Sequence, residues 1–123
     1  MLPDTRKAAV EGLFYPKECS KVKAYFDEFN HRFQKIPISK EVRSIVPRAV
    51  IVPHAGYIYS GFTANFAYRF LKQSKAKRII IIGPSHHYSF QGISGSYFES
   101  YETPCGNLKI DSPYLFALAK QFN

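Results

Sequence analysis

Arg48-Ala49-Val50-Ile51-Val52-Pro53-His54-Ala55-Gly56-Tyr57 and Arg78-Ile79-Ile80-Ile81-Ile82-Gly83-Pro84-Ser85-His86-His87 decide the fold class. Each begins with a short β-branched run and stops at a proline. Such runs read as strands buried on both faces, the pattern of parallel sheets. Between them, Phe62, Phe66, Phe70 and Leu71 recur on one face of a helix expected over about Ser60–Gln73, with Ser60 as its N-cap. Strand, helix, strand is a βαβ unit with a right-handed crossover. The expected class is α/β, with a mainly parallel sheet covered by helices on both sides.

Working outward, Val22, Phe26, Phe29 and Phe33 mark a first helix over about Glu18–Phe33. Residues 1–17 read as an irregular leader, and Pro37 and Pro47 mark residues 34–47 as a linker. Short strands are expected around Ile93–Phe98 and Leu108–Ile110. A last helix follows Asp111 and Ser112, with Pro113 at its first position. The chain stops where a further strand should begin, so residues 1–123 read as the N-terminal part of one larger domain.

The composition is that of an ordinary globular protein: 46% hydrophobic and 21% charged. No apolar run approaches the roughly 18 residues of a membrane span. The N-terminus starts with Met and has no apolar leader, so a cytoplasmic location is expected. Cys19 and Cys105 show no CxxC spacing, which fits free thiols in a reducing compartment. The net charge of +8 comes from 17 basic against 9 acidic residues, spread along the chain. No nucleic-acid-binding motif accompanies it, and no GxGxxG or P-loop is present, so neither nucleic acid nor nucleotide is an expected partner.

The chemistry concentrates in the two loops that follow the apolar runs. In open α/β sheets, ligands bind beyond the carboxyl ends of the strands. His54 and His86 lie 32 positions apart, about one βαβ period. On neighbouring parallel strands about 4.8 Å apart, their imidazoles would converge on one ion. Histidine is the commonest metal ligand, but two histidines do not complete a site: zinc takes three or four protein ligands, and non-haem iron takes two histidines and a carboxylate. Asp111 and Glu102 are available carboxylates that no spacing nominates. A histidine after a strand is also commonly a simple hydrogen-bonded loop residue. His31 reads as a helix-surface residue. Cys105, in Thr103-Pro104-Cys105-Gly106, reads first as a turn residue and second as a thiolate. Tyr57 and Tyr59 precede the second helix and can line a pocket.

Four segments taken together, Ala9–Pro16 (AVEGLFYP), Ile51–Gly61 (IVPHAGYIYSG), Ile82–His87 (IGPSHH) and Tyr101–Gly106 (YETPCG) with Ile110-Asp111, resemble the Memo-like family, whose bacterial and archaeal members are called AmmeMemoRadiSam system protein B. The resemblance runs in order along nearly the whole chain. It implies a three-layer α/β/α fold similar to class III extradiol dioxygenases, with only its N-terminal part in this chain. It implies metal ligation by His54 and His86, with iron or copper ahead of zinc. The family's third ligand, a cysteine, is expected beyond Asn123. Cys105 stands where the family usually has leucine and is not that ligand.

The same resemblance places Phe14 and Tyr59 at the pocket. Tyr57 and Ser85 are read as further lining residues, and His87 as a second-shell group or proton shuttle. Two functions stay open on these residues. One is a metal-dependent redox or dioxygenase-like enzyme. The other is a non-enzymatic binding or signalling adaptor that takes a small molecule, a peptide or an acidic ligand in the same pocket. The apolar runs at Val50–Val52 and Ile79–Ile82 also imply self-association or a second chain completing the fold.

Overall fold

The computed structural model describes residues 4–122. Its elements, in chain order, are β1 (Thr5–Arg6), α1 (Cys19–Gln34), α2 (Lys40–Arg43), a π-helical turn (Tyr57–Gly61), α3 (Phe62–Leu71), β2 (Ser100–Thr103), β3 (Gly106–Lys109) and α4 (Ser112–Ala119). The chain divides into two compact units. Residues 9–77 form one, and the segments flanking it form the other. Helices with a small mixed sheet agree with the α/β class.

The unit of residues 9–77 is held together by aromatic rings. The helical stripe read on α1 places Val22, Phe29 and Phe33 inward, at 3–7% exposure, while Phe26 stays half-exposed. Phe33 packs on Phe66 of α3, with ring centroids 4.9 Å apart, and Phe29 meets Phe62 at 6.1 Å. Aromatic pairs in favourable geometry add about 0.5–1.5 kcal/mol beyond their buried area; here the rings are tilted to each other by 59° and 56°. The Asn30 Oδ1 atom accepts from Asn65 Nδ2 at 3.4 Å and also from Arg69 Nη1. The Arg69 guanidinium in turn covers the Phe33 ring at 4.3 Å. The charged head therefore keeps a polar partner in Asn30 while it covers an apolar ring.

Ser60 does not cap α3. The chain enters that helix through the π-helical turn, and the Ser60 hydroxyl donates to the Ala55 carbonyl at 3.1 Å instead. The linker contains α2, a single turn capped by Ser39, whose side chain accepts from the Val42 amide at 3.3 Å.

In the other unit, β1 pairs parallel to β2 through Thr5↔Ser100 and Arg6↔Tyr101, and β2 pairs antiparallel to β3. The β2–β3 turn is Pro104-Cys105, closed by the Thr103↔Gly106 pair, with Gly106 at φ 117°. Cys105 is thus the turn residue its sequence context indicates, and the positive φ explains the glycine after it. Glu102 seats the N-terminal strand: it accepts from Lys7 Nζ at 3.0 Å and from the Ala8 amide at 3.2 Å. Asp111 caps α4, taking the Tyr114 amide at 3.1 Å and Arg78 Nε at 2.7 Å. Gly95 lies against Leu115, where a Cβ would meet Cδ2 at 3.2 Å.

Four expectations need correction. The runs at 48–52 and 78–82 form no strand among the described residues. A strand exists through its ladder, and these runs have no backbone partner there, so Ile79–Ile82 stand 59–91% exposed. The parallel pair joins β1 to β2 instead. The expected strand at 93–98 appears later, at Ser100–Thr103, because the hairpin turn sets its register. Before it, the Ser96 hydroxyl takes the Phe98 amide at 3.2 Å in a local bend. The leader is not wholly irregular, since Thr5–Arg6 joins the sheet. Finally, there is no free cysteine among the described residues, so the free thiols expected from spacing are not found; spacing along a chain does not decide thiol state.

Candidate functional site

His54 belongs to the unit of residues 9–77, and Ser85, His86 and His87 belong to the other unit. All three histidines are solvent-exposed. Among the described residues, no three His, Cys, Asp or Glu side chains group as a metal-binding cluster.

The His54 loop is built from two distant stretches of sequence. The turn at Val10–Tyr15 folds back on itself: the Gly12 amide donates to the Tyr15 carbonyl at 2.7 Å, and the Phe14 amide to the Val10 carbonyl at 3.0 Å. Gly12 sits at φ 77°, where L side chains are strained. This turn presents the Phe14 carbonyl to the Tyr57 amide at 2.8 Å. Phe14 and Tyr57 are thus brought together through this backbone bond. Gly56 is buried in the junction, where a Cβ would lie 3.2 Å from the Phe14 carbonyl oxygen. The Tyr57 ring sits 5.9 Å from Tyr15, 6.0 Å from Tyr25 and 5.9 Å from Phe26. Burial among these rings raises the Tyr57 phenol pKa above its ordinary value, with Tyr15 and Tyr68 adding to the shift.

Tyr59, 85% exposed, lies at the mouth of a cleft of about 340 Å³. Tyr25, Glu28, Arg32, Tyr57 and Phe62 also line it. The Arg32 guanidinium lies over the Phe62 ring at 4.0 Å, and its Nη1 is 3.9 Å from Glu28 Oε1. The sequence reads Tyr57 and Tyr59 as lining a pocket beside His54 and His86, whereas the lining of this cleft includes neither histidine; Tyr25, Glu28 and Arg32 are not singled out there. The available signal was their spacing of three and four on α1, which puts all three on one side of the helix beside Phe29.

The second loop forms an open concavity of about 590 Å³, lined by Gly83–Phe90 and Gly92. Ser85 works within that loop: its hydroxyl donates to the Tyr88 carbonyl at 2.6 Å and receives the Tyr88 amide at 3.2 Å. This turn holds the backbone on both sides of His86 and His87.

The Memo-like protein family matches residues 6–123. A MEMO1 family protein of Thermoplasma volcanium is 36% identical over 115 residues, covering 94% of this chain and 40% of its own length. One from Aquifex aeolicus is 35% identical over 106 residues, covering 86% of this chain and 36% of its own length. A MEMO1 family protein of Saccharomyces cerevisiae is 49% identical over 67 residues, covering 53% of this chain and 20% of its own length. The chain belongs to the Memo-like family, and it corresponds to the N-terminal region of that family. It spans about 40% of the length of its Thermoplasma relative. No solved structure matches it. Among the described residues, no helix is long and apolar enough to cross a membrane.

Proposed function

We propose that this Memo-like chain contributes His54 and His86 as imidazole donors to a redox metal, iron or copper ahead of zinc, in an extradiol-dioxygenase-like α/β/α frame. The observation that carries the reading is the pair of histidine loops, each with its backbone tied down beside the histidine. Imidazole suits iron, copper and zinc alike, and two imidazoles are a partial donor set for any of them. The remaining positions belong to solvent, substrate and a further protein ligand beyond Asn123. When bound, the metal would supply O₂ activation or polarisation of a substrate oxygen. His54 and His86 would hold it. His87, next to His86, would accept or return a proton, and Phe14, Tyr57, Tyr59 and Ser85 would shape the pocket. A cytoplasmic setting belongs to the same proposal.

A second reading is favoured by the aromatic cleft. Its tyrosines and the Arg32 guanidinium suit a peptide or small acidic ligand, so a non-enzymatic binding role uses features already present. Elemental analysis of the purified protein separates the two. Iron or copper near one per chain supports the enzyme, and none at any loading supports the binding role.

The exposed run Ile79–Ile82 supports association with a second copy or with a chain carrying further strands.

A further inference from the structure

We propose that Gly56 and Tyr57 form the positioning element for His54, an inference that rests on the metal reading above for its purpose but not for its test. The three residues after His54 are held in succession. The Ala55 carbonyl receives the Ser60 hydroxyl at 3.1 Å. The Gly56 carbonyl receives the Tyr59 and Ser60 amides at 2.9 and 3.1 Å. The Tyr57 amide donates to the Phe14 carbonyl at 2.8 Å. The Tyr57 ring, caught among Tyr15, Tyr25 and Phe26, then anchors the whole stretch to α1 and to the leader turn.

This arrangement resolves a conflict that a metal-binding histidine faces. Burying the imidazole would hold it still but close it to substrate. Here the anchor is displaced three positions along the chain. The anchor is half-buried and the histidine is exposed. Ligand groups must be held within about 0.5 Å to act in concert, and the backbone of His54 gets that restraint from its neighbours. Glycine suits position 56 because of close approach. A Cβ there would stand 3.2 Å from the Phe14 carbonyl oxygen and 3.4 Å from Phe14 Cα, so the Phe14 backbone that accepts the Tyr57 amide would have to give by a few tenths of an ångström. The π-helical turn from Tyr57 to Gly61 carries the chain from this anchor directly into α3.

The test uses the natural-length protein with histidine-selective isotope labelling, and Co²⁺ as the metal probe. Gly56→Ala and Tyr57→Ala should shift and broaden the His54 imidazole resonances in metal-free protein. They should also weaken Co²⁺ binding about 10- to 100-fold, the usual effect of losing a group that orients a ligand. Tyr57→Phe, which keeps the ring in its cage, should recover most of what Tyr57→Ala loses. Wild-type His54 resonances and Co²⁺ affinity in Gly56→Ala would overturn the proposal. If the wild type binds no Co²⁺, the metal reading falls, and the His54 resonances alone still decide the positioning role. If Gly56→Ala does not fold, hydrogen exchange of the wild-type Tyr57 amide decides. Strong protection supports the anchor, and exchange at the rate of an unstructured peptide refutes it.

Discussion

The Tyr57 amide donates to the Phe14 carbonyl at 2.8 Å, joining two segments 43 positions apart in the sequence. Through this bond the AVEGLFYP and PHAGYIYSG motifs become one structure, and the loop that carries His54 acquires a fixed base. A ring cage of Tyr15, Tyr25 and Phe26 surrounds the same residue.

Phe29 is the most buried core side chain, at 3% exposure, and it touches both Tyr25 and Phe62. Phe29→Ala should cost about 3–5 kcal/mol through lost burial and a cavity the α1–α3 seam cannot close. Urea denaturation followed by tyrosine fluorescence measures it. A loss below about 1 kcal/mol would show that the seam collapses onto the gap.

Gly61 packs under the same ring. A Cβ there would lie 2.9 Å from Phe29 Cε2 and Cζ and 3.3 Å from Tyr57 Cβ. Gly61→Ala should destabilise by about 1–3 kcal/mol as an overpacking change, although alanine favours helices. A more stable Gly61→Ala protein in thermal melts would mean that the Phe29 ring moves aside freely.

Lys7 and the Ala8 amide hold the Glu102 carboxylate below its ordinary pKa, and Arg78 with the Tyr114 amide does the same for Asp111. A depressed folded-state pKa contributes stability that is present above the unfolded value and fades as pH falls through the folded one. Stability should therefore decline below the ordinary carboxylate range, and Glu102→Gln should flatten that decline. Amide exchange at Ala8 read against pH makes the comparison. Identical pH profiles for wild type and variant would remove Glu102 from this role.

The Ile79–Ile82 run, exposed and uncharged, should drive concentration-dependent association. Ile81→Lys should suppress it, because a charge on an unpaired edge opposes strand addition. Light scattering across a concentration series reads this directly. A monomer at all concentrations, unaltered by the substitution, would contradict the association.

The three longer helices were legible in the sequence, whereas the single turn α2 lay inside the segment read as a linker. Val22, Phe29 and Phe33 at helical spacing located α1, and Asp111 with Pro113 located the start of α4. These signals are local, so they survive in any context. The apolar runs at 48–52 and 78–82 misled because β-branched residues report a preference for strands, while the ladder depends on a partner that sequence alone does not supply. The Ser60 cap failed for a related reason: Ser60 lies inside the π-helical turn that leads into α3, and its hydroxyl donates back to the Ala55 carbonyl. Of the candidate site, the motifs drew attention to the histidine loops and to Tyr57 and Tyr59. The cleft residues Glu28 and Arg32 could not, because they look like any solvated helix face until α3 packs beside them.

X-ray absorption at the metal edge of the purified, metal-loaded protein tests the central proposal most directly. With iron or copper bound, the account predicts the multiple-scattering signature of two imidazole ligands. That count should fall to one in His54→Ala and in His86→Ala alike. A spectrum without imidazole scattering, or one left unchanged by both substitutions, would contradict the assignment of His54 and His86 as metal ligands.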